Sequence, residues 1–210
     1  MTSRIYLASK SPRRREILAG LGYELCLLAP EASPASDPQT ADEERRPGES
    51  ARSYVLRTAR EKALGAIRMI EEKRLEVLPV VSADTTVVFG ETILRKPQSV
   101  EEELRFLELL SGKTHVVRTA VAVGTTEENL ETVISESRVT FCTMTDSMMK
   151  LYAGTDEPYD KAGGYAVQGL AGAFITHIEG SYSGIVGLPV FETVELLSHF
   201  GRGLESLTAP

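Results

Sequence analysis

Short apolar runs alternate along the chain with longer segments in which apolar side chains recur at helical spacing. The runs at 5–8 and 80–89 are almost continuously apolar, which is typical of strands covered on both faces. Further strands are predicted at 23–28, 93–97, 116–123, 135–143 and 174–178. Gly, Pro and Asp/Asn/Ser clusters separate these segments and predict the turns between them.

Four longer helical segments follow from the same pattern. The longest is predicted from Ser50 to about Lys73, with an apolar face of small and branched residues. Ser99 and Glu102 form a capping box that opens a second helix. The side chains predicted to face inward are Val55, Ala59, Ala63, Ala66, Ile67 and Ile70, then Leu104, Leu107 and Leu110, then Met148, Leu151 and Tyr152 after Thr145, and finally Val194, Leu197 and Phe200 after Pro189.

The turn after the first strand has the residues of an anion site. Ser11 is a good N-cap, and Pro12 is favoured at the first helical position. Arg13 and Arg14 then stand in the first turn, where the helix dipole disfavours cations. Backbone N–H groups, hydroxyls including that of Ser9, and guanidinium groups converge there, which predicts a phosphate site. The alternative is a solvated basic turn.

Two charged residues stand among apolar neighbours. Asp84 lies in the middle of the 80–89 strand, and a carboxylate is rarely buried without a partner. Asp84 therefore either meets a cation, a metal or a water that it activates, or it marks a strand break. Lys62 lies at the edge of the helical apolar face, between Ala59 and Ala66. On pattern alone it is expected to extend its amine to water.

Three other segments are expected to be loops or chain ends. Residues 29–50 are rich in Pro, Asp, Glu and Ser and predict a mobile surface loop. The glycine-rich segment 157–169 is suited to close approach of the backbone to a ligand. Within it Gln168 offers both a donor and an acceptor for a base edge. The tail at 201–210 is expected to fray.

Composition narrows the possible functions. The 210 residues carry a net charge of -7, which disfavours a general nucleic-acid coat protein. Cys26 and Cys142 are far apart and without metal-like spacing, which favours a reducing, cytoplasmic setting. His115, His177 and His199 are scattered, so a His-based metal site is disfavoured. No apolar run reaches the about 18 residues needed to span a bilayer, and no membrane or stable nucleic-acid partner is expected.

Six ordered segments together resemble the Maf family of nucleotide pyrophosphatases, over about residues 5–200. These segments are Ala8–Arg14, Ser82–Thr85, Lys96–Pro97, Ser111–His115, Asp160–Gly169 and Gly180–Pro189. The resemblance implies an α/β fold, with a mixed central sheet flanked by helices and two lobes around a cleft, like that of the inosine triphosphate pyrophosphatases. It implies one such domain over residues 1–200, often in a homodimer.

The implied reaction converts a nucleoside triphosphate into the monophosphate and pyrophosphate with a divalent cation, Mg²⁺ or Mn²⁺. Family members are linked to housecleaning of nucleotide pools and to cell-division arrest. By motif, Asp84 matches the catalytic base, and specificity positions match Arg13, Thr85 and Gln168. The other substrate-binding positions carried over are Ser9, Arg14, Lys62, Lys96 and Lys161.

The glycine-rich loop resembles the family branch that acts on dTTP and UTP, because it combines Asp160–Gly163 with Val167–Gly169. The alternatives are a 7-methyl-GTP or modified-pyrimidine pyrophosphatase, a non-catalytic nucleotide-binding regulator of cell division, and a plain phosphate-binding module. One departure stands out: the family's Asp–Glu pair after the second strand is replaced here by Glu31-Ala-Ser-Pro. Glu31, Asp37 or an acidic residue of 42–44 is the candidate to substitute, and the metal ligands are left open.

Overall fold

The computed structural model describes residues 3–28 and 45–207. They form a mixed α/β fold in which helices flank a seven-stranded sheet of order β2-β1-β3-β5-β6-β7, with β4 paired to β3. The strands are β1 Arg4–Leu7, β2 Glu24–Leu27, β3 Val80–Phe89, β4 Thr92–Leu94, β5 Thr114–Gly124, β6 Glu131–Phe141 and β7 Ile175–Glu179. The helices are α1 Pro12–Gly20, α2 Ala51–Glu72, α3 Val100–Leu110, α4 Asp146–Ala153, α5 Tyr182–Val186, α6 Val190–Ser198 and α7 Leu204–Leu207. This confirms the predicted fold class.

The chain divides into two compact units. Among the described residues, the first unit comprises 3–28, 45–84, 120–134 and 187–207, and the second comprises 85–119 and 135–186. The strands β3, β5 and β6 each contribute residues to both units. In the first unit β1 pairs in parallel with β2 and with β3, and in the second β3 pairs antiparallel with β4 and β6 with β7.

In the first unit, the alternation of side chains along β3 decides what each residue meets. Val81 and Ala83 pack into a core with Leu18 of α1 and Leu197 of α6. The intervening side chains point to the other face of the strand. There Val80 packs on the apolar face of α2, and Ser82 and Asp84 hydrogen bond to residues of α2. The predicted apolar face of α2 is therefore confirmed, and the helix begins after its N-cap Ser50, as expected.

The second unit has an aromatic core. Phe141 lies edge-to-face against His115, Tyr165 and Phe174, at ring-centroid distances of 4.9 to 5.0 Å. His115 is 1% exposed, and its Nε2 lies 2.7 Å from the Tyr165 hydroxyl. Burial lowers the pKa of His115 to about 4. The histidine of the 111–115 motif is thus a neutral core residue.

The structure differs from the sequence predictions in helix α4 and at the end of the described chain. In α4 the buried face is Met149, Tyr152 and Ala153, and Leu151 is 78% exposed. The prediction that Met148 and Leu151 face inward was wrong, because helix α4 is rotated so that Tyr152 packs on Phe174.

The other difference is the predicted frayed tail. Residues 204–207 form α7, and Ser3 Oγ lies 2.8 Å from Ser206 Oγ and 2.9 Å from the Ser206 carbonyl oxygen. This hydrogen bonding ties the end of the described chain to the first strand. Residues 208–210, and residues 29–44 of the predicted mobile loop, lie outside the described residues. Residues 45–50 lead into α2, where the Arg57 guanidinium pairs with Glu49 at 2.7 Å.

Glu103 is buried, although glutamate generally prefers water. It is 0% exposed on the face of α3 that also carries Leu107 and Leu110. Neither carboxyl oxygen has a hydrogen-bond partner among the described residues. Burial, followed by the nearby Glu102, raises the pKa of Glu103 from 4.5 to about 9, so its carboxyl is protonated at neutral pH.

We expect Glu103 to make the protein less stable as the pH rises from 6.5 to 9. The unfolded chain releases this proton above pH 4.5 and the folded chain retains it up to about 9, so ionisation favours unfolding throughout that window. The slope is at most about 1.4 kcal/mol per pH unit. Below pH 6.5 His115 has the opposite effect, and stability rises with pH. The reason is that the histidine binds a proton in the unfolded chain and stays neutral in the folded protein.

Urea unfolding at a series of pH values measures this slope. Glu103→Gln should flatten the slope between pH 6.5 and 9, whereas Glu108→Gln, an exposed position of the same helix, should leave it unchanged. Equal slopes in the wild type and Glu103→Gln would contradict the assignment.

Candidate active site

The turn between β1 and α1 has the predicted local structure. Ser11 is the N-cap of α1 with its side chain accepting from the Arg14 N–H at 3.5 Å, and Pro12 occupies the first helical position. The Ser11 N–H donates to Ser9 Oγ at 3.2 Å. The chain therefore turns sharply after β1 and presents the amino end of a nine-residue helix, where backbone N–H groups favour an anion.

Arg14 fixes this turn to the rest of the first unit. Its Nε donates to the Gly187 carbonyl at 2.8 Å, and its Nη1 donates to Ser9 Oγ at 3.1 Å. Arg13 is half-buried beside it. The guanidinium of Arg14 is thus held in place by the protein before any ligand binds, which is what a preorganised phosphate site requires.

Asp84 lies within an uninterrupted strand, so the strand-break alternative is wrong. Its Oδ1 accepts from Lys62 Nζ at 2.7 Å, and the two side chains are 14% and 33% exposed. The expectation that Lys62 extends to water was wrong, because Asp84 faces α2 and draws the ammonium to itself. Of the partners considered for Asp84, a cation, a metal or an activated water, the structure shows a cation, the Lys62 ammonium.

The register of the parallel strands places Asp84 just beyond the level at which β1 ends and the turn begins. Leu7 pairs with Val81, and the Ala8 N–H donates to the Val81 carbonyl at 2.9 Å. Ser9 follows Leu7 by two residues, and Asp84 follows Val81 by three. Ligand sites in α/β proteins usually lie beyond the carboxyl ends of parallel strands, and β1 ends at this level whereas β3 continues to Phe89.

The second unit contains the other four predicted residues. Thr85 Oγ1 lies 2.8 Å from Thr119 Oγ1, and Thr119 in turn donates to the Gly184 carbonyl at 2.7 Å. Since each hydroxyl has one proton, Thr85 is the donor of the first bond. Lys96 is exposed two residues after β4.

Lys161 and Gln168 lie on the glycine-rich loop, which folds into short 3₁₀ turns at 158–160, 162–164 and 170–174. Lys161 Nζ donates to the Glu157 carbonyl at 2.8 Å and also pairs with Asp160. Gln168 is exposed, and its side chain makes no hydrogen bond to the residues that the structure describes.

The loop is packed closely at its glycines. Gly163 and Gly164 both have φ of 72°, in the left-handed region that glycine tolerates. A Cβ on Gly163 would lie 2.7 Å from Val87, and one on Gly164 would lie 1.8 Å from Glu103 Oε2. These two positions therefore require glycine for both conformation and space.

Sequence reasoning missed two residues that organise this loop, Tyr152 and Glu157. The Tyr152 hydroxyl donates to Glu157 Oε1 at 2.9 Å, with the Gly164 carbonyl oxygen 3.1 Å away as a second acceptor. Burial, and then Glu157, raise the pKa of Tyr152, so the hydroxyl keeps its proton. In the sequence, Glu157-Pro158 indicates only that a turn follows. It does not indicate which groups bind the Glu157 side chain.

Acidic residues for a metal are sparse in the described part of the chain. Residues 3–28 and 45–207 contain no group of three or more His, Cys, Asp or Glu side chains that could hold a metal ion. The candidates for a second acidic site residue, Glu31, Asp37 and 42–44, lie outside the described residues. A single carboxylate such as Asp84 can still bind Mg²⁺ when substrate phosphates supply further oxygens.

Comparisons with known proteins identify relatives of this chain. The Maf-like protein family matches residues 4–200. The dTTP/UTP pyrophosphatase of Albidiferax ferrireducens is 46% identical over 201 residues, covering 96% of this chain and 98% of the relative. That of Escherichia coli K12 is 45% identical over 200 residues, covering 95% and 94%.

Among solved structures, a HAM1 protein from Coxiella burnetii is 16% identical with a TM-score of 0.42, covering 67% of this chain and 73% of that one. No helix in the described part of the chain is long and apolar enough to cross a membrane. The family match and the near full-length relatives show that the chain belongs to the Maf-like protein family.

Proposed function

We propose that this protein is a nucleoside triphosphate pyrophosphatase that hydrolyses dTTP and UTP to the monophosphate and pyrophosphate. The observation that carries the proposal is the Asp84–Lys62 pair, with Asp84 just beyond the level at which β1 ends and the β1–α1 turn begins. That arrangement offers a carboxylate for water activation beside groups that bind phosphate. The names of the relatives support the substrate.

The phosphates are assigned to the β1–α1 turn and to Lys62. A nucleoside triphosphate carries about four negative charges, and cleavage places more charge on the leaving pyrophosphate. The amino end of α1, Ser9, Arg13 and Arg14 supply N–H, hydroxyl and guanidinium donors. Because Arg14 is already bonded to Ser9 and to Gly187, little reorganisation is needed when the substrate binds.

Asp84 is assigned as the base. In this mechanism a water oxygen bonds to the α-phosphorus, its proton passes to the Asp84 carboxylate, and the α–β bridging bond breaks to release pyrophosphate. Lys62 fixes one oxygen of the carboxylate at 2.7 Å and adds positive charge for the phosphates. The other oxygen of Asp84 is then the acceptor for the water proton.

A divalent cation, Mg²⁺ or Mn²⁺, is proposed to arrive with the triphosphate. Phosphate oxygens would hold it, and in the alternative to the base role Asp84 would be a further ligand, which suits the oxygen-ligand preference of Mg²⁺. When bound, the cation offsets the charge that develops on the phosphates.

Base recognition is assigned to residues of the second unit. The exposed Gln168 amide offers a donor and an acceptor that match the O4 and N3–H edge shared by uracil and thymine. Thr85, Lys96 and Lys161 are the other proposed substrate contacts. A homodimer, a cytoplasmic location and a role in nucleotide housecleaning are also proposed, on the resemblance to the family.

The primary test is pyrophosphate release from a panel of dTTP, UTP, CTP, 7-methyl-GTP and 5-methyl-UTP, with and without Mg²⁺ or Mn²⁺. Turnover of dTTP and UTP above the others is the expected result. Preference for 7-methyl-GTP would identify the other branch of activity. Nucleotide binding without turnover would identify a regulator.

Asp84→Asn should reduce kcat for dTTP by about a thousandfold, because the amide keeps the shape of the carboxylate and cannot accept the water proton. Its urea unfolding midpoint should stay near that of the wild type, since Asp84 lies at the rim of the core and is part-exposed. Near wild-type turnover in this variant would remove Asp84 from the mechanism.

Lys62→Met should lower kcat by about ten- to a hundredfold with little loss of stability. The pair is part-exposed, so its contribution to the free energy of unfolding is about 1 kcal/mol or less. Steady-state kinetics and urea unfolding measure the two effects. Arg68→Met, at an exposed position on the same helix, is the matched control and should change neither. A loss of stability that accounts for the lost activity would contradict the electrostatic role.

Gln168→Glu should lower the preference for UTP over CTP, because a carboxylate accepts from the cytosine amino group and has no N–H to donate to O4 of uracil. The ratio of kcat/KM for UTP and CTP measures this preference. The ratio of kcat/KM for dTTP and UTP should not change, because thymine and uracil present the same O4 and N3–H edge to Gln168. An unchanged UTP-to-CTP ratio would show that Gln168 does not read the base.

A further inference from the structure

The exposed Gln168 side chain has no hydrogen bond to the described residues, so it is positioned through its backbone. The backbone immediately after it forms a 3₁₀ helix over Leu170–Phe174. The first N–H groups of such a helix have no partner within the helix and must be satisfied from elsewhere. The group that accepts hydrogen bonds from these N–H groups therefore fixes the position of Gln168.

The Glu157 carboxylate is that acceptor. Its Oε2 accepts from the Leu170 N–H at 2.8 Å, and its Oε1 accepts from the Ala171 N–H at 3.2 Å. The Tyr152 hydroxyl donates to Oε1 at 2.9 Å, which holds the carboxylate against α4. A carboxylate has enough lone pairs for all three donors, and such charge-assisted hydrogen bonds are short and strong.

Gly169, between Gln168 and the 3₁₀ helix, leaves room for this contact. A Cβ on Gly169 would lie 2.2 Å from Glu157 Oε2, so the carboxylate occupies the space where a side chain would stand. The Gly169 N–H donates to the Ala166 carbonyl at 3.0 Å, which closes the turn on the other side of Gln168. The chain on both sides of Gln168 is therefore held.

The same residue also holds the other proposed ligand of the loop. The backbone carbonyl of Glu157 accepts from Lys161 Nζ at 2.8 Å. Glu157 thus binds Lys161 through its main chain and the turn after Gln168 through its side chain. Ten residues lie between Glu157 and Gln168 in the chain, and Glu157 joins the two ends of this segment.

We propose that Glu157 is a positioning residue for base recognition, which sets the place of Gln168 through the N–H groups of Leu170 and Ala171. Tyr152 supports it by orienting its carboxylate. This inference rests on the proposed function, because it assumes that Gln168 reads the base. Glu157 does not touch substrate in this scheme, and the Asp84–Lys62 pair is unaffected by it.

The test compares Glu157→Gln with Tyr159→Phe in the full chain. A glutamine amide places an NH₂ group where one carboxylate oxygen accepted, so it faces N–H donors with another donor. Tyr159→Phe removes a hydrogen bond from the same loop, to the Ala153 carbonyl, and leaves the 169–171 turn untouched. It is therefore the control for general weakening of the loop.

For Glu157→Gln we expect the ratio of kcat/KM for UTP to that for CTP to fall about fivefold or more, while kcat for UTP changes much less. Tyr159→Phe should leave the ratio unchanged. In a Gln168→Ala background, Glu157→Gln should lower the ratio no further, since both changes remove the same recognition. An unchanged ratio in Glu157→Gln, or full additivity with Gln168→Ala, would overturn the proposal.

Amide hydrogen exchange separates this proposal from the proposed function, because it needs no substrate. The Leu170 and Ala171 N–H groups should lose protection in Glu157→Gln and keep it in Tyr159→Phe. Equal protection in both variants would overturn the positioning role even if the enzyme is active. A wild type that hydrolyses neither dTTP nor UTP would instead refute the proposed function, while the exchange result still decides whether Glu157 holds the turn.

Discussion

The requirement that a charged group leaving water must find a partner shapes the candidate site more than any other constraint. Asp84 lies on a strand covered on both faces, and alternation along β3 points its side chain toward α2. Two residues earlier on the same face, Ser82 donates to the Ala59 carbonyl of α2 at 2.6 Å. The two-residue interval from Ser82 to Asp84 on the strand thus faces the three-residue interval from Ala59 to Lys62 on the helix. That match brings a lysine to the only carboxylate of the strand.

Three carboxyl groups of this chain differ in how the protein accommodates them. Asp84 has an ammonium at 2.7 Å, and Glu157 has two backbone N–H groups and a phenol. Glu103 has no partner in the described part of the chain, and it keeps its proton instead. The first group is suited to chemistry because its partner leaves one oxygen available. The second is suited to structure because its oxygens are occupied, and the third lowers stability whenever it ionises.

Local patterns predicted the elements well, and contacts between distant residues explain what they missed. The capped start of α1, the extent of α2 and the limits of β3 follow from residues close together in the sequence. The partner of Asp84 did not follow, because the face that a strand turns toward a helix depends on the packing of both. The burial of Glu103 beside Leu107 and Leu110 was not predicted, because glutamate generally prefers water. The inward face of α4 was misassigned because Leu151 and Tyr152 are adjacent, and only the contact of Tyr152 with Phe174 decides between them.

The β1–α1 turn, to which we assign the phosphates, and the glycine-rich loop, to which we assign the base, differ in how their geometry is specified. The turn is built from consecutive residues, so its cap, its proline and its arginines can be recognised from a single stretch of sequence. The loop depends on the Glu157 carboxylate, which binds the N–H group of Leu170 thirteen positions later, and on a glycine whose missing side chain leaves room for that carboxylate. A substitution at Glu157 or Gly169 alters the loop without touching Asp84, Lys62 or the arginines. Under the proposed function, base preference would therefore change through residues that never meet the base, while the groups assigned to hydrolysis stay as they are.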